Sequence, residues 1–257
     1  MDPSLCVTVD LEPSPYAPDD GMDPSIRGLE VLQGLLDDHE APATMFVSGE
    51  FLTPDGTAAV QDLDDEHEIA SHGMDHASMD GMDRSKLREQ VRASHEALAA
   101  LGHTAEGFRA PLCSWSEELM TVLDEEGYTY DSSLHPTTVP GRYHNQLRPR
   151  GPEMYGDVLE LPPATSPVLR APLSWAWLRL FGHRYGRTVL RSCQDLEVIV
   201  LYLHPWELVP VRDGPMYARW RTGESFRATL DRFLDHATTG TRPMTMYDAS
   251  SAVQDQH

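Results

Sequence analysis

The sequence predicts an α/β fold, a parallel sheet with helices outside it, and three observations carry that expectation. Short apolar runs of strand length alternate with longer segments of helical period. At 257 residues the chain can bury a large core, and no Ser/Gly-rich linker divides it, so one domain spanning 1–257 is expected. Finally, Asp10, His72, Arg109, Asp131 and His204 each fall at or just past the end of a predicted strand. In a barrel of parallel strands that is the face on which sites are built.

The elements follow in order. Leu5 to Asp10 reads as a first buried strand ending in an acid, and a proline-rich loop from Pro13 to Pro24 follows. Ser25 to His39 has helical spacing through Ile26, Leu29, Leu32, Leu35 and Leu36. Ala43 to Val47 is a second strand, Thr57 to Leu63 a short helix, and His67 to Ser71 a third strand. Gly73 permits the tight turn of a strand-to-helix junction, which sets His72 and His76 one helical turn apart. Arg84 to Leu101 is a strong helix with Gly102 as its stop, and Glu106 to Arg109 is a brief strand. Ser116 to Glu126 is helical, Tyr128 to Asp131 a strand, and 134–156, rich in Pro, Gly and Arg, an inserted loop. Val158 to Leu161 is a strand and Trp175 to Arg191 a helix. Glu197 to Leu203, the most apolar strand, ends at His204-Pro205. Phe226 to His236 is the last strong helix and Pro243 to Tyr247 a closing strand.

Composition excludes some functions. The formal charge of −21, with Lys86 as the one lysine, repels nucleic acid and anionic membranes, so neither is an expected partner. No stretch approaches the ~18 apolar residues of a membrane span. An acidic, lysine-poor chain of this type resembles proteins of haloarchaeal cytoplasm, where salt screens self-repulsion. Met1-Asp2-Pro3-Ser4 is acidic and the apolar run behind it is too short for a signal peptide, so a cytoplasmic location is expected. Cys6, Cys113 and Cys193 are odd in number and widely spaced, which reads as free thiols, with Cys113 a passive neighbour of Arg109-Ala110-Pro111.

The chemistry lies in a few positions. His72 and His76 can point at one spot, and imidazole pairs suit Zn²⁺ and its neighbours. A third ligand can come from Asp10 or Glu12, which lie two apart on an extended segment and share a side. One carboxylate then completes the metal set and the other serves as general base. Arg109 can fork onto a carboxylate and hold it ionised, and His204, emerging from the central strand, is placed to protonate a leaving amine. The backbone N–H of Leu112 is a candidate oxyanion donor. Tyr202 flanks the site, and Trp115, Trp175, Trp177 and Trp206 offer flat faces on which sugars stack. Together these parts suit hydrolysis of an amide.

Thr8-Val9-Asp10-Leu11-Glu12, His72-Gly73-Met74-Asp75-His76, Arg109-Ala110-Pro111 and Leu201-Tyr202-Leu203-His204-Pro205 come in the order of a known family. In these motifs the chain resembles the polysaccharide deacetylases (NodB-homology, carbohydrate esterase family 4), from residue 5 to about 247. The resemblance implies a distorted (β/α)7 barrel and metal-dependent removal of N-acyl groups from amino sugars in a glycan or glycan precursor. It implies Asp10 as base, His72 and His76 as ligands of a divalent metal (Zn²⁺, or Co²⁺, Ni²⁺ or Mn²⁺), Arg109 as the residue that orients the base, and His204 as acid. Most members carry a second aspartate next to the first as a ligand; Leu11 stands there, and the resemblance leaves two replacements open, Glu12 as in members with a D-x-D or D-x-E arrangement, or water in place of a carboxylate. The Asp-x-x-Trp motif that tunes the acid has no clear counterpart, with Asp195 as the available candidate. Two rivals stay open: a metal-independent C–N hydrolase of the same fold (allantoinase-like), acting on a small ureide or amide, and a non-catalytic carbohydrate-binding protein.

Overall fold

A computed structural model describes residues 2–16 and 23–255. The centre of the predicted proline-rich loop, 17–22, lies outside the described residues. The strands are β1 (Ser4–Leu11), β2 (Ala43–Val47), β3 (Glu68–Ser71), β4 (Gly107–Phe108), β5 (Tyr130–Asp131), β6 (Thr138–Val139), β7 (Tyr143–His144), β8 (Glu153–Tyr155), β9 (Val158–Glu160), β10 (Val198–Leu203) and β11 (Arg242–Pro243). The helices are α1 (Pro24–Asp38), α2 (Pro54–Gln61), α3 (Arg84–Ala99), α4 (Glu117–Glu126), α5 (Trp175–Phe181), α6 (His183–Ser192), α7 (Met216–Arg219), α8 (Glu224–Ala237) and α9 (Met246–Gln254).

The sheet runs β10-β1-β2-β3-β4-β5-β9-β8, with β11 beside the start of β1. Eight of these strands, β1 to β5, β9, β10 and β11, pair in parallel, and β8 joins the edge antiparallel to β9. The curled sheet does not close through a regular strand pair. Between β9 and β10 the gap is crossed by isolated bridges, Pro163 to Val200 and Ser174 to Tyr202. This is the distorted barrel that the sequence predicts.

All eight residues of β1 are buried, as expected of a strand covered on both faces. Side chains alternate along it. Leu5, Val7, Val9 and Leu11 join the layer between sheet and helices, whereas Cys6 belongs to the smaller barrel interior with Phe46, Ala70, Tyr130, Val198 and Val200. α1 is capped by the Asp23 carboxylate, which accepts from Ser25 N–H, and it buries Ile26, Leu29, Leu32 and Leu36 against the sheet. A Cβ at Gly28 would fall 2.0 Å from the Pro205 carbonyl oxygen, so its lack of a side chain lets α1 lie directly on the turn after β10.

Four sequence expectations need correction. His72 and His76 sit on a loop, not a helical turn: Gly73 takes φ 74°, and α3 begins only at Arg84. The predicted helix from Trp175 to Arg191 is two helices, broken where Gly182 adopts φ 80°, ψ 177°. The closing strand shrinks to Arg242–Pro243 and gives way to α9, whose first turn is capped by the Thr245 hydroxyl. Segment 134–156 is not all loop, since it forms the β6–β7 hairpin and supplies β8 to the sheet edge. Among the described residues, no helix is long and apolar enough to cross a membrane.

Candidate active site

Strand parity decides which side chains enter the site. On β1 the interior side continues from Cys6 through Thr8 to Asp10 and then Glu12; on β10 it continues from Val198 and Val200 to Tyr202 and His204. Leu11 has the opposite parity and packs under the helices, so this position faces away from the site. Backbone bonds from His72 N–H to the Val47 carbonyl (3.0 Å) and from Arg109 N–H to the Ser71 carbonyl (2.9 Å) carry the edge onward past β3 and β4. The polar side chains thus meet at the carboxyl ends of parallel strands.

Glu12 is the hub. Its Oε2 lies 3.3 Å from His72 Nε2 and in contact with His76 Nε2, while its Oε1 is 3.4 Å from His204 Nε2. Asp10 Oδ2 is 3.5 Å from His72 Nε2, and Asp10 Oδ1 accepts from Arg109 Nη1 at 2.8 Å. Arg109 is fully buried and is fixed further by Ser132, through its carbonyl (3.1 Å) and its hydroxyl (2.9 Å). Its guanidinium lies 4.2 Å from the centre of the Phe46 ring and 5.1 Å from that of Tyr202. The Tyr202 hydroxyl reaches His204 Nε2 at 3.1 Å. Trp206 stacks on His204 with ring centres 5.5 Å apart, and Trp175 meets it edge-on at 5.0 Å.

These contacts set the electrostatics. Burial pushes the Glu12 carboxyl up, but His204, His72 and His76 together take it well below the usual carboxylate range. For His72, burial favours the neutral ring, and Asp10 and Glu12 outweigh it to raise the imidazole above its ordinary value. His204 goes the other way: burial lowers it despite Glu12 and Asp10. Its Nδ1 has no partner among the described residues.

The donor set fits a small divalent cation. The Arg109 carbonyl can only accept, so His72 Nδ1 must donate to it (2.8 Å), which leaves the Nε2 lone pair facing Glu12 and Asp10. Acceptors that face one another need a proton or a cation between them. Ligand atoms of Glu12, His72 and His76 all lie within 4.8 Å of one another, and mixed imidazole and carboxylate donors suit Zn²⁺ and similar ions. A second grouping, Asp37, Glu66 and His67, fits less well. There Ala43 N–H donates to His67 Nδ1 (3.3 Å), so the neutral ring carries its proton on Nε2 and offers no lone pair.

The other expected site residues lie around this cluster or outside it. Trp115 packs edge-on against Tyr155, with the Arg148 guanidinium 4.7 Å from its ring centre, so residues of segment 134–156 occupy it. Trp206 is buried against His204 and Trp175, which leaves no open face for a sugar. Trp177 stacks with Tyr185 on the outer helices. Leu112 and Cys113 take left-handed backbone, φ 58° and 55°, in the turn after Arg109-Ala110-Pro111. Burial pushes the Cys113 thiol up to about 12, which suits a passive neighbour. Asp131 is buried on its own Ser133, accepting from the N–H (3.0 Å) and hydroxyl (2.7 Å), outside the cluster. Asp195 ion-pairs with Arg150 on the surface (2.9 Å) and has no contact with His204. Ser132 is a supporting residue absent from the sequence expectations, and Trp175, expected as a sugar-stacking face, instead packs edge-on against His204. For Ser132 a signal existed, its position directly after a strand ending in Asp131.

Comparison with known proteins follows the same lines. The sequence model of the family described as polysaccharide deacetylase matches residues 19–130. Over 122 residues the chain is 31% identical to a chitooligosaccharide deacetylase of Rhizobium leguminosarum bv. phaseoli, covering 46% of this chain and 48% of that protein. The chain spans about half the length of the curated relatives it matches. A solved Mycobacterium smegmatis protein assigned as a polysaccharide deacetylase superposes with a TM-score of 0.71 at 21% identity, covering 98% of this chain and 90% of that one. A solved allantoinase superposes at 0.68 and 15% identity, covering 99% and 91%. At such identities the likeness speaks for the fold, and two reactions evidently share it. The polysaccharide deacetylase pattern is thus matched over residues 19–130, and the fold of the solved neighbours runs along nearly the whole described chain.

Proposed function

We propose that the Glu12-centred cluster is the catalytic centre of a metal-dependent N-deacetylase acting on an amino sugar in a glycan or glycan precursor. The observation that carries this reading is Glu12 itself, which holds one carboxylate oxygen to His72 and His76 and the other to His204. Glu12, His72 and His76 would hold the divalent metal, which when bound supplies Lewis-acid polarisation of the acyl carbonyl and of a water.

The chain's own groups do the rest. Asp10, anchored through Oδ1 by Arg109, keeps Oδ2 on the cluster side, where it takes the proton of the attacking water. His204 Nε2 delivers a proton to the departing nitrogen, and burial together with Trp175 and Trp206 orients its ring. The Tyr202 hydroxyl steadies the same nitrogen of His204 between proton transfers. The Leu112 backbone N–H, in the left-handed turn after Pro111, serves as oxyanion donor. A metal-free hydrolase would draw its support from Leu11. Leu11 has the wrong parity to face the site, and Glu12 stands in the donor position, so the metal-dependent reading is favoured.

The test is acetate release from chitotetraose by protein stripped with a chelator and then restored with Zn²⁺, Co²⁺, Ni²⁺ or Mn²⁺. Release should vanish on stripping and return with one of these ions, and Asp10→Asn should lower kcat by about 10²–10⁴ while binding persists. If no ion restores release, or if Asp10→Asn matches the wild type, the reading fails.

A further inference from the structure

Away from the histidine cluster, a cavity of 370 Å³ opens between the α5–α6 joint and α8. It is lined by Phe181, His183, Arg184, Arg221 and Arg232, with Thr229 among the residues behind them, and no acidic residue lines it. Among the described residues none of these three arginines forms an ion pair. The contrast within the molecule is plain: on α3, Arg84, Arg88 and Arg92 are each matched by Glu118, Glu125 or Glu126 of α4. Arg184, Arg187 and Arg191 fall on one stripe of α6, and that helix contains no Asp or Glu. The cavity also meets the N-terminal end of α6, which no side chain caps. In a chain of net charge −21 this is a local concentration of uncompensated positive charge.

One wall is aromatic. Phe181 is 58% exposed, and it sits in a cluster with Trp177 and Tyr185. An exposed ring beside guanidinium forks matches a ligand that has an apolar face and an oxyanion on its edge. α5 links the two regions: it starts at Trp175 against His204 and ends at Phe181, roughly 9 Å further along its axis.

We propose that this cavity is a subsite for an acidic saccharide, with a sugar ring on Phe181 and its carboxylate, phosphate or sulfate group held by Arg184, Arg221 and Arg232. The site is separate from the histidine–carboxylate cluster, and its occupancy does not depend on turnover there.

The experiment is calorimetric titration of the full chain with a tetrasaccharide of alternating glucuronate and N-acetylglucosamine, beside chitotetraose and sodium sulfate. Wild type should bind the acidic tetrasaccharide more tightly than chitotetraose, with the difference shrinking as NaCl is raised. Arg184→Gln/Arg232→Gln, at two exposed positions, should weaken the acidic ligand by about tenfold or more and leave chitotetraose within about twofold. Phe181→Ala should weaken the acidic tetrasaccharide and leave sulfate unchanged. The proposal is overturned if wild type does not bind the acidic tetrasaccharide, or if the double variant binds it as wild type does. Sulfate binding as tightly as the tetrasaccharide also overturns it, because the sugar would then contribute nothing. Failure of chitotetraose to release acetate counts against the deacetylase reading alone, since the variant comparison is made at equilibrium.

Discussion

Arg109→Met tests the frame that holds the site. The substitution keeps an unbranched apolar stem of similar reach and removes the 2.8 Å bond to Asp10, both bonds to Ser132, and the charge lying over Phe46. Breaking one side of a buried ion pair costs about 3–5 kcal/mol, because the partner charge stays behind. Here His72 Nε2, 3.5 Å from Asp10, offsets part of that penalty, which favours the lower half of the range. For a chain of this size about 3–4 kcal/mol corresponds to a fall in Tm of roughly 6–16 °C. Arg109→Lys keeps the charge and loses the fork to Ser132, so it should cost only about 1–2 kcal/mol. Urea unfolding of the single variants, and of Arg109→Met combined with Asp10→Asn, completes the cycle. Removing the stranded carboxylate should restore stability, giving a coupling of about 2 kcal/mol or more. A loss below about 1 kcal/mol in Arg109→Met, or costs that simply add in the double variant, would refute the reasoning.

Three further outcomes follow from the same geometry. Glu12→Gln should weaken Zn²⁺ binding by at least about tenfold in a competition titration against a chelating dye, and an unchanged affinity would remove Glu12 from the donor set. His135, buried with its Nδ1 at the Tyr143 hydroxyl (2.9 Å), is pushed down to about 3 by burial and by Arg109. Because the unfolded chain takes up that proton near pH 6.5 and the folded chain does not, stability falls as pH drops from about 6.5 toward 3, by on the order of 4 kcal/mol. His135→Gln should flatten that acid limb in pH-dependent urea melts, and a limb as steep as wild type would contradict it. Gly28→Ala forces a methyl to within 2.0 Å of the Pro205 carbonyl, so it should cost about 1–3 kcal/mol and lower kcat more than it changes KM; wild-type stability would show that α1 can retreat without consequence.

Much of this arrangement was legible in the residues because parallel strands leave simple signatures. The continuous apolar run of β10 and the acid near the end of β1 are enough to put His204 and Asp10 on one rim. Parity also separates Leu11 from Glu12: an alternating strand cannot aim neighbours at the same point. What local pattern could not show was the path of the chain where one residue changes its direction. The turn at Gly73 is legible, but not that a loop instead of a helix follows it, and Gly182 breaks a helical period across which apolar spacing reads straight. The aromatic expectations failed for another reason. Trp115 and Trp206 find partners, Arg148 and Trp175, that are distant in sequence and adjacent only after folding, so composition alone could not say which faces stay open.

The irregular closure between β9 and β10 has a mechanical consequence. Elsewhere around the ring, neighbouring strands exchange ladder bonds, but here two isolated bridges take their place, at Val200 and Tyr202. A ring with one weak joint yields at that joint first, so sub-global opening should begin there, with amides of 162–174 exchanging ahead of those in β1. Tyr202 and His204 stand on the strand that borders the joint. The proton-donating side of the cluster therefore rests on the more yielding bank, while Asp10, Glu12 and Arg109 rest on the firm one, and thermal breathing would alter the reach of His204 before it disturbs the carboxylates.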